Sequence, residues 1–200
     1  MPGDDRPLRR TELPADVADA LRGLPPAGEA PETLADAVDA LDRLWADGGA
    51  AVGVRQLFRP DGTRHVVDFG DRTEFVPCVL DAVIAALVED DPVEIRSTEP
   101  RGDATVRLVV ADDGLSVDPP SAVFSLGVDA AGLGDDLSVS EGTDSAVAAA
   151  CPYINAFQDP AAYEAWRRRL ADVHAMRVDA ETLRAVAAVA AGEWVTAGPA

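Results

Sequence analysis

The sequence predicts an α+β fold: a small helical, winged-helix-like N-terminal unit, then a mixed, largely antiparallel sheet with flanking helices. Three observations carry this reading. Segments of helical period lie at both ends of the chain. The middle holds short β-rich runs separated by turn signals such as Asp112-Asp113-Gly114. Strands and helices do not alternate as βαβ units would require, so the sheet is read as antiparallel. The division is placed at residue 70, giving units 1–70 and 71–200.

Residues 13–24 have apolar residues near helical period and run into Gly23-Leu24-Pro25-Pro26, a strong stop. Residues 31–49 open on Pro31-Glu32-Thr33, carry Leu34, Val38, Leu41 and Trp45 on one stripe, and end at Gly48-Gly49. Strands are predicted at 52–58 and 64–69, with Pro60-Asp61-Gly62 in the turn between them. Two helices followed by such a hairpin give the winged-helix-like reading. A helix is predicted over 77–88, and strands at 93–97, 105–111, 115–118 and 122–128. Residues 129–145, rich in Gly, Asp and Ser, read as an irregular loop. The run 146–151 is ambiguous between strand and helix. Helices are predicted over 159–173, with Asp159 as N-cap and Pro160 at the first position, and over 179–194.

Composition narrows the function. The chain has 36 acidic and 17 basic residues, a formal net charge of −19. Every basic residue is Arg, and Asp outnumbers Glu about two to one. Self-repulsion at this density strains a compact fold in dilute buffer. At ~1 M salt the Debye length falls to ~3 Å and the repulsion is screened. The acidity reads either as adaptation to a salty cytoplasm or as a surface for a basic partner. Nucleic acid is excluded as a partner, because phosphate binding needs clustered cations; Arg167-Arg168-Arg169 reads as a solvated helix face. No apolar run reaches the ~18–20 residues of a membrane span, and the N-terminus MPGDDRPLRR lacks a secretory signal. The expected location is cytoplasmic, with no membrane partner.

The two cysteines carry the remaining chemistry. They have no CxxC spacing, and with His65 and His174 they do not form a recognisable zinc pattern. With Pro77 in a first helical turn, Cys78 sits at a helix N-terminus, where free N–H groups favour a thiolate. On a 100° wheel, Val79, Leu80, Val83, Ile84 and Leu87 form an aliphatic face, and Cys78, Asp81, Ala82 and Ala85 the opposite one. In so acidic a chain, an exposed face would carry more charge, so this helix is expected to be covered on both sides. Cys78 and Asp81, three apart, are neighbours, and burial raises the pKa of an aspartate into proton-carrying range. Cys78 reads as either a working thiol or a small buried apolar residue. Cys151, at a break forced by Pro152, leaves the same two readings open.

Together these segments resemble the organomercurial (alkylmercury) lyase family. Cys78-Val79-Leu80-Asp81 resembles the family's Cys-Ala-Leu-Asp segment, residues 106–128 its intervening strands, and Cys151 with Trp166 its second cysteine and following tryptophan. The resemblance implies protonolysis of a carbon–mercury bond to a hydrocarbon and Hg(II). It assigns Cys78, Cys151 and Asp81 as both catalytic and mercury-holding residues. It implies no cofactor, an organomercury substrate, and small thiols or a mercuric reductase as acceptor of Hg(II). The chain departs from the family at Pro77, where a Trp is typical. It also departs near Ser97-Thr98, where many members carry a structural Cys, and at Pro152, Tyr153 and Asn155, where a further Cys and histidines are common. Phe75, Tyr153 and Phe157 are candidates for an apolar pocket wall, or for ordinary core packing. The alternative functions are a non-enzymatic thiol binder of soft metals and a structural protein of the same fold.

Overall fold

The structure is a computed structural model and describes residues 5–22, 30–48, 52–60, 62–89, 92–111, 114–129, 149–171, 173–193 and 195–196. In chain order the helices and strands are α1 (Arg6–Arg10), α2 (Ala15–Leu21), α3 (Leu34–Gly48), β1 (Val52–Gly53), β2 (His65–Asp68), β3 (Thr73–Val76), α4 (Val79–Val88), β4 (Val93–Thr98), β5 (Thr105–Ala111), β6 (Gly114–Asp118), β7 (Val123–Asp129), β8 (Ala156–Phe157), α5 (Pro160–Arg167), β9 (Val173–Val178), α6 (Ala180–Glu193) and β10 (Val195–Thr196). Short 3₁₀ turns cover Val54–Leu57 and Cys151–Tyr153. The α+β reading holds: a five-stranded sheet in the order β3-β2-β4-β5-β6 and a three-stranded sheet β8-β7-β9 are antiparallel throughout. The pair β1 and β10 is parallel.

The sequence patterns explain most element ends. Thr33 starts α3 through a reciprocal cap. The Asp36 carboxylate accepts from the Thr33 N–H and hydroxyl at 2.8 Å each, and Thr33 Oγ1 accepts from the Asp36 N–H at 3.3 Å. Asp159 and Asp179 cap α5 and α6, each accepting an N–H three residues on at 2.8 Å. In β4 and β5 the inward residues Val93, Ile95, Val106 and Leu108 are fully buried, and their alternation fixes the register.

Several expectations are corrected. The strand expected at 52–58 is only two residues long, because Gln56 folds back to accept the Gly53 N–H at 2.9 Å and starts a 3₁₀ turn. No hairpin joins 52–58 to 64–69 among the described residues. Instead β2 lies inside the larger sheet, and an interior strand needs a partner on each side: here β3 and β4. β3 itself was not expected; it returns from β2 through a turn in which Gly70 takes φ +87°, a conformation disfavoured for other residues. The expected boundary at residue 70 lies in this turn. The helix predicted over 159–173 stops at Arg167, where the N–H groups of Arg169 and Leu170 bond three residues back. Residues from Val173 onward form β9 against β7, an unforeseen strand, and α1 was unforeseen too. The loop expected at 129–145 lies outside the described residues apart from Asp129, which ends β7, as do 146–148 of the ambiguous run. Among the described residues, no helix is long and apolar enough to cross a membrane.

α4 is the element that matters most for the site. Val79, Ala82, Val83 and Ala85 are fully buried, since the helix packs against α6 and against strands β2 to β5. The two alanines and the cysteine that made one face look uncharged are small because another element covers them. One buried cluster runs from Leu8 and Val17 through α4 to Val195, so the N-terminal helices share a core with both sheets.

Candidate active site

Cys78 does not begin the first helical turn. It is the N-cap of α4, with extended backbone (φ −147°, ψ 168°), and Pro77 stands outside the helix. This corrects the placement read from Pro77. β3 runs extended to Val76, the chain bends at Pro77 and Cys78, and the helix starts at Val79. The Sγ of Cys78 takes the role usually given to a Ser or Asp oxygen and accepts from the Asp81 N–H at 3.4 Å. The Asp81 side chain folds back over the same turn, and its Oδ2 accepts from the Cys78 thiol at 3.1 Å.

Cys151 arrives from the other sheet. It opens the 3₁₀ turn before β8, and its Sγ donates to the same Asp81 Oδ2 at 3.4 Å. The two sulfurs and the carboxylate oxygen all lie within 4.8 Å of one another. A backbone link helps hold this meeting. The Val79 N–H, one of the donors a helix start leaves unpaired, reaches the Ile154 carbonyl at 3.5 Å, and the Ile154 N–H bonds the Cys151 carbonyl at 3.2 Å.

The electrostatics favour a protonated Cys78 thiol at rest. Cys78 is 1% exposed. Burial pushes its thiol well above the ordinary range, and the neighbouring Cys151 thiol and Asp81 charge push the same way. This overturns the expectation that a helix N-terminus would favour the thiolate there: loss of water and an adjacent carboxylate outweigh one N–H donor. Asp81 is partly exposed, yet desolvation lifts its carboxyl above the ordinary carboxylate value. The two thiol hydrogen bonds and the positive charge of Arg59 pull it back only in part.

Other residues singled out in the sequence lie elsewhere. His65 is buried, with Nδ1 2.8 Å from Ser97 Oγ, and His174 faces Asp16 at 3.5 Å beside Arg167. Neither joins the cysteines. His65 and Ser97 stand opposite each other across β2 and β4. Phe157 packs with Tyr163 and Trp166 at centroid distances of 5.5 and 5.1 Å, an aromatic core under α5, with Tyr153 at its edge. Phe75 is half-buried, and its carbonyl accepts from the Arg59 N–H at 2.8 Å. Sequence reading missed Arg59, Arg64 and Ser125, and noted Asn155 only as a departure from the resembled family. Arg59, Arg64 and Ser125 are polar residues that strand pairing across the chain brings near the site.

A buried pair of thiols sharing one carboxylate, set where two antiparallel sheets meet, is a donor set that could hold a soft metal ion. Residues 59–192 match the alkylmercury lyase (MerB) family, and the chain belongs to that family of enzymes, which cleave carbon–mercury bonds. Among solved structures, the mercury-bound form of MerB2 matches with a TM-score of 0.52 at 14% identity, covering 95% of this chain and 96% of that one. At that identity the likeness speaks for the fold alone. Comparison with curated proteins finds no match.

Proposed function

We propose that this chain cleaves an organomercurial R–Hg–X by protonolysis at Cys78, Cys151 and Asp81. The observation that carries the reading is that both thiols donate to one carboxylate oxygen, Oδ2 of Asp81. One base is thereby in contact with both protons the reaction must move.

The steps balance as follows. One cysteine gives its proton to Asp81 as its sulfur bonds mercury and X⁻ leaves. The second sulfur then adds to mercury, raising electron density on the metal–carbon bond. The carbon takes the proton held by Asp81, and R–H departs. Asp81 accepts the second thiol's proton and passes it out with X⁻. The sum is R–Hg–X plus two thiols giving R–H, a dithiolate-bound Hg(II) and HX. Thiolates are the preferred ligands of a soft cation, and Asp81 acts as the general acid and base. Two bonds of roughly 2.3 Å, the thiolate–zinc value, span about 4.6 Å in line. That span is of the order of the spacing at this site. Small thiols or a mercuric reductase then collect Hg(II).

The test is hydrocarbon release from phenylmercury in molar salt with excess small thiol. Release above the thiol-only background is expected, and Cys78→Ser and Cys151→Ser each abolish it. Stoichiometric Hg(II) binding without release would replace the lyase by a thiol binder. Wild-type rates in Cys78→Ser would sink the assignment.

A further inference from the structure

The turn that carries Cys151 is held by a network that the proton chemistry does not use. Asn155 is fully buried. Its Nδ2 donates to the Pro152 carbonyl at 2.9 Å, one residue from Cys151, and its Oδ1 accepts from Arg64 Nη2 at 3.0 Å. Its backbone N–H donates to Ser125 Oγ at 3.0 Å, and its carbonyl accepts from the Ser125 N–H at 2.9 Å. Ser125, itself fully buried on β7, donates its hydroxyl to the Tyr153 carbonyl at 2.8 Å. Both carbonyls that follow Cys151 are therefore tied down, one by Asn155 and one by Ser125.

Arg64 extends the tie to the other sheet. It directly precedes β2, and its carbonyl accepts from the Thr98 N–H at the end of β4 at 2.9 Å. β2 pairs with β3, placing His65 opposite Val76, two residues before Cys78. Arg64 is only half open to solvent, and among the described residues it forms no ion pair, in a chain with twice as many acids as arginines. It gives its hydrogen bond to a neutral amide 91 residues away. An amide serves both ends at once, its oxygen accepting from Arg64 and its NH₂ donating to Pro152.

We infer that Asn155 is a positioning residue that sets the separation of the Cys78 and Cys151 sulfurs by fixing the Cys151 turn to both sheets through Arg64 and Ser125. For turnover this rests on the lyase reading. For Hg(II) binding it stands apart from it. Hg(II) held by two thiolates needs both sulfurs at the right span, whereas the phenylmercury cation is held by either one. Loss of the tie weakens the first and spares the second.

The experiment compares wild type with Asn155→Leu, Asn155→Asp, Arg64→Met and Arg64→Lys. Affinities for Hg(II) and for phenylmercury are measured by competition with a small monothiol, and single-turnover cleavage is measured at saturating phenylmercury. Asn155→Leu and Arg64→Met are expected to lower Hg(II) affinity by at least about 10-fold. They should leave phenylmercury affinity within about two-fold and slow cleavage by about 10–100-fold, the scale of a ~1 Å misplacement. Arg64→Lys, which keeps a donor, recovers part of the loss. Asn155→Asp, which keeps the acceptor but loses the donor to Pro152, falls between. Arg64→Met alters no residue of the turn, so it reports even if an Asn155 variant does not fold. An unchanged ratio of the two affinities in folded Arg64→Met overturns the inference, as does equal weakening of both. If wild type releases no hydrocarbon, the lyase reading fails while the affinity ratio still tests the positioning role.

Discussion

Under the proposed mechanism, Asp81 bears two duties that pull against each other. As a base it must ionise beside two thiols; as a group short of water it resists ionisation. Its folded-state pKa is raised, so its favourable contribution to stability is complete below the unfolded carboxylate value and is lost as pH rises through the folded one. Above the unfolded carboxylate value, that lost contribution is a cost to the fold. Asp81→Asn is expected to raise the melting temperature, each ~1 kcal/mol appearing as about 2–4 °C. It should also slow cleavage by about 10²–10⁴, the usual worth of a positioned acid–base group. Melting curves and hydrocarbon release at pH 7 check both; a melting temperature below wild type refutes the cost. His65 makes the opposite kind of statement. Burial, aided by the nearby Arg64 charge, lowers its pKa to about 3. A depressed histidine leaves the unfolded chain binding more protons below pH ~6.5, so stability falls as pH drops from there towards 3. Between pH 6.5 and 5 this amounts to roughly 2 kcal/mol at ~1.4 kcal/mol per pH unit. Denaturant titrations in molar salt should show that loss in wild type and a flatter profile in His65→Asn, which keeps a polar partner for Ser97.

At the scale of elements, two close contacts put the Cys151 turn where it is. One is the Val79 N–H to Ile154 carbonyl bond. The other is the approach of Tyr153 to β7 at Gly127. A Cβ added to Gly127 would lie 2.8 Å from the Ala175 Cβ on β9 and 3.0 Å from the Tyr153 Cβ. The first contact is nearer than real Cβ atoms come, so β9 or the turn must move. Gly127→Ala is expected to destabilise the fold by about 1–3 kcal/mol, the range for overpacking, and to slow cleavage more than it weakens capture of phenylmercury. Denaturation and single-turnover kinetics separate the two effects; an unperturbed rate would show that the turn tolerates the shift. Elements also mark where pattern reading succeeded. The periodicity of 93–97 and 105–111 was legible because each inward residue meets the same core. Thr73–Val76 was hidden because one side of the strand is exposed or half-exposed, and its extended state depends on pairing with β2. Val173–Val178 was hidden because the arginines ahead of it continue a helical pattern.

Over the whole molecule, charge sets the conditions under which the site exists. The ion pairs among the described residues lie at the surface, such as Arg9–Asp5 and Arg22–Asp19 with side chains more than half exposed. Pairs of that kind contribute ~0–1 kcal/mol each. Molar salt costs the fold little by screening them, and gains more by screening a net charge of −19. The denaturation midpoint is expected to rise steadily from 0.1 M to above 1 M potassium chloride. A flat or falling midpoint would assign the acidity to a binding surface instead.

The sequence by itself determined the fold class, the net charge of −19 and the pairing of Cys78 with Asp81. Each depends on local spacing or on composition: a helix N-cap and the third residue after it lie close enough to bring a carboxylate onto a thiol. The tertiary structure alone decided that Cys151 reaches the same carboxylate oxygen. Cys78 follows the edge strand of one sheet and Cys151 precedes a strand of the other, 73 positions later. Nothing local fixes that distance. It is set by β2 joining the larger sheet, by Gly127 admitting Tyr153, and by a buried asparagine that bonds to both halves.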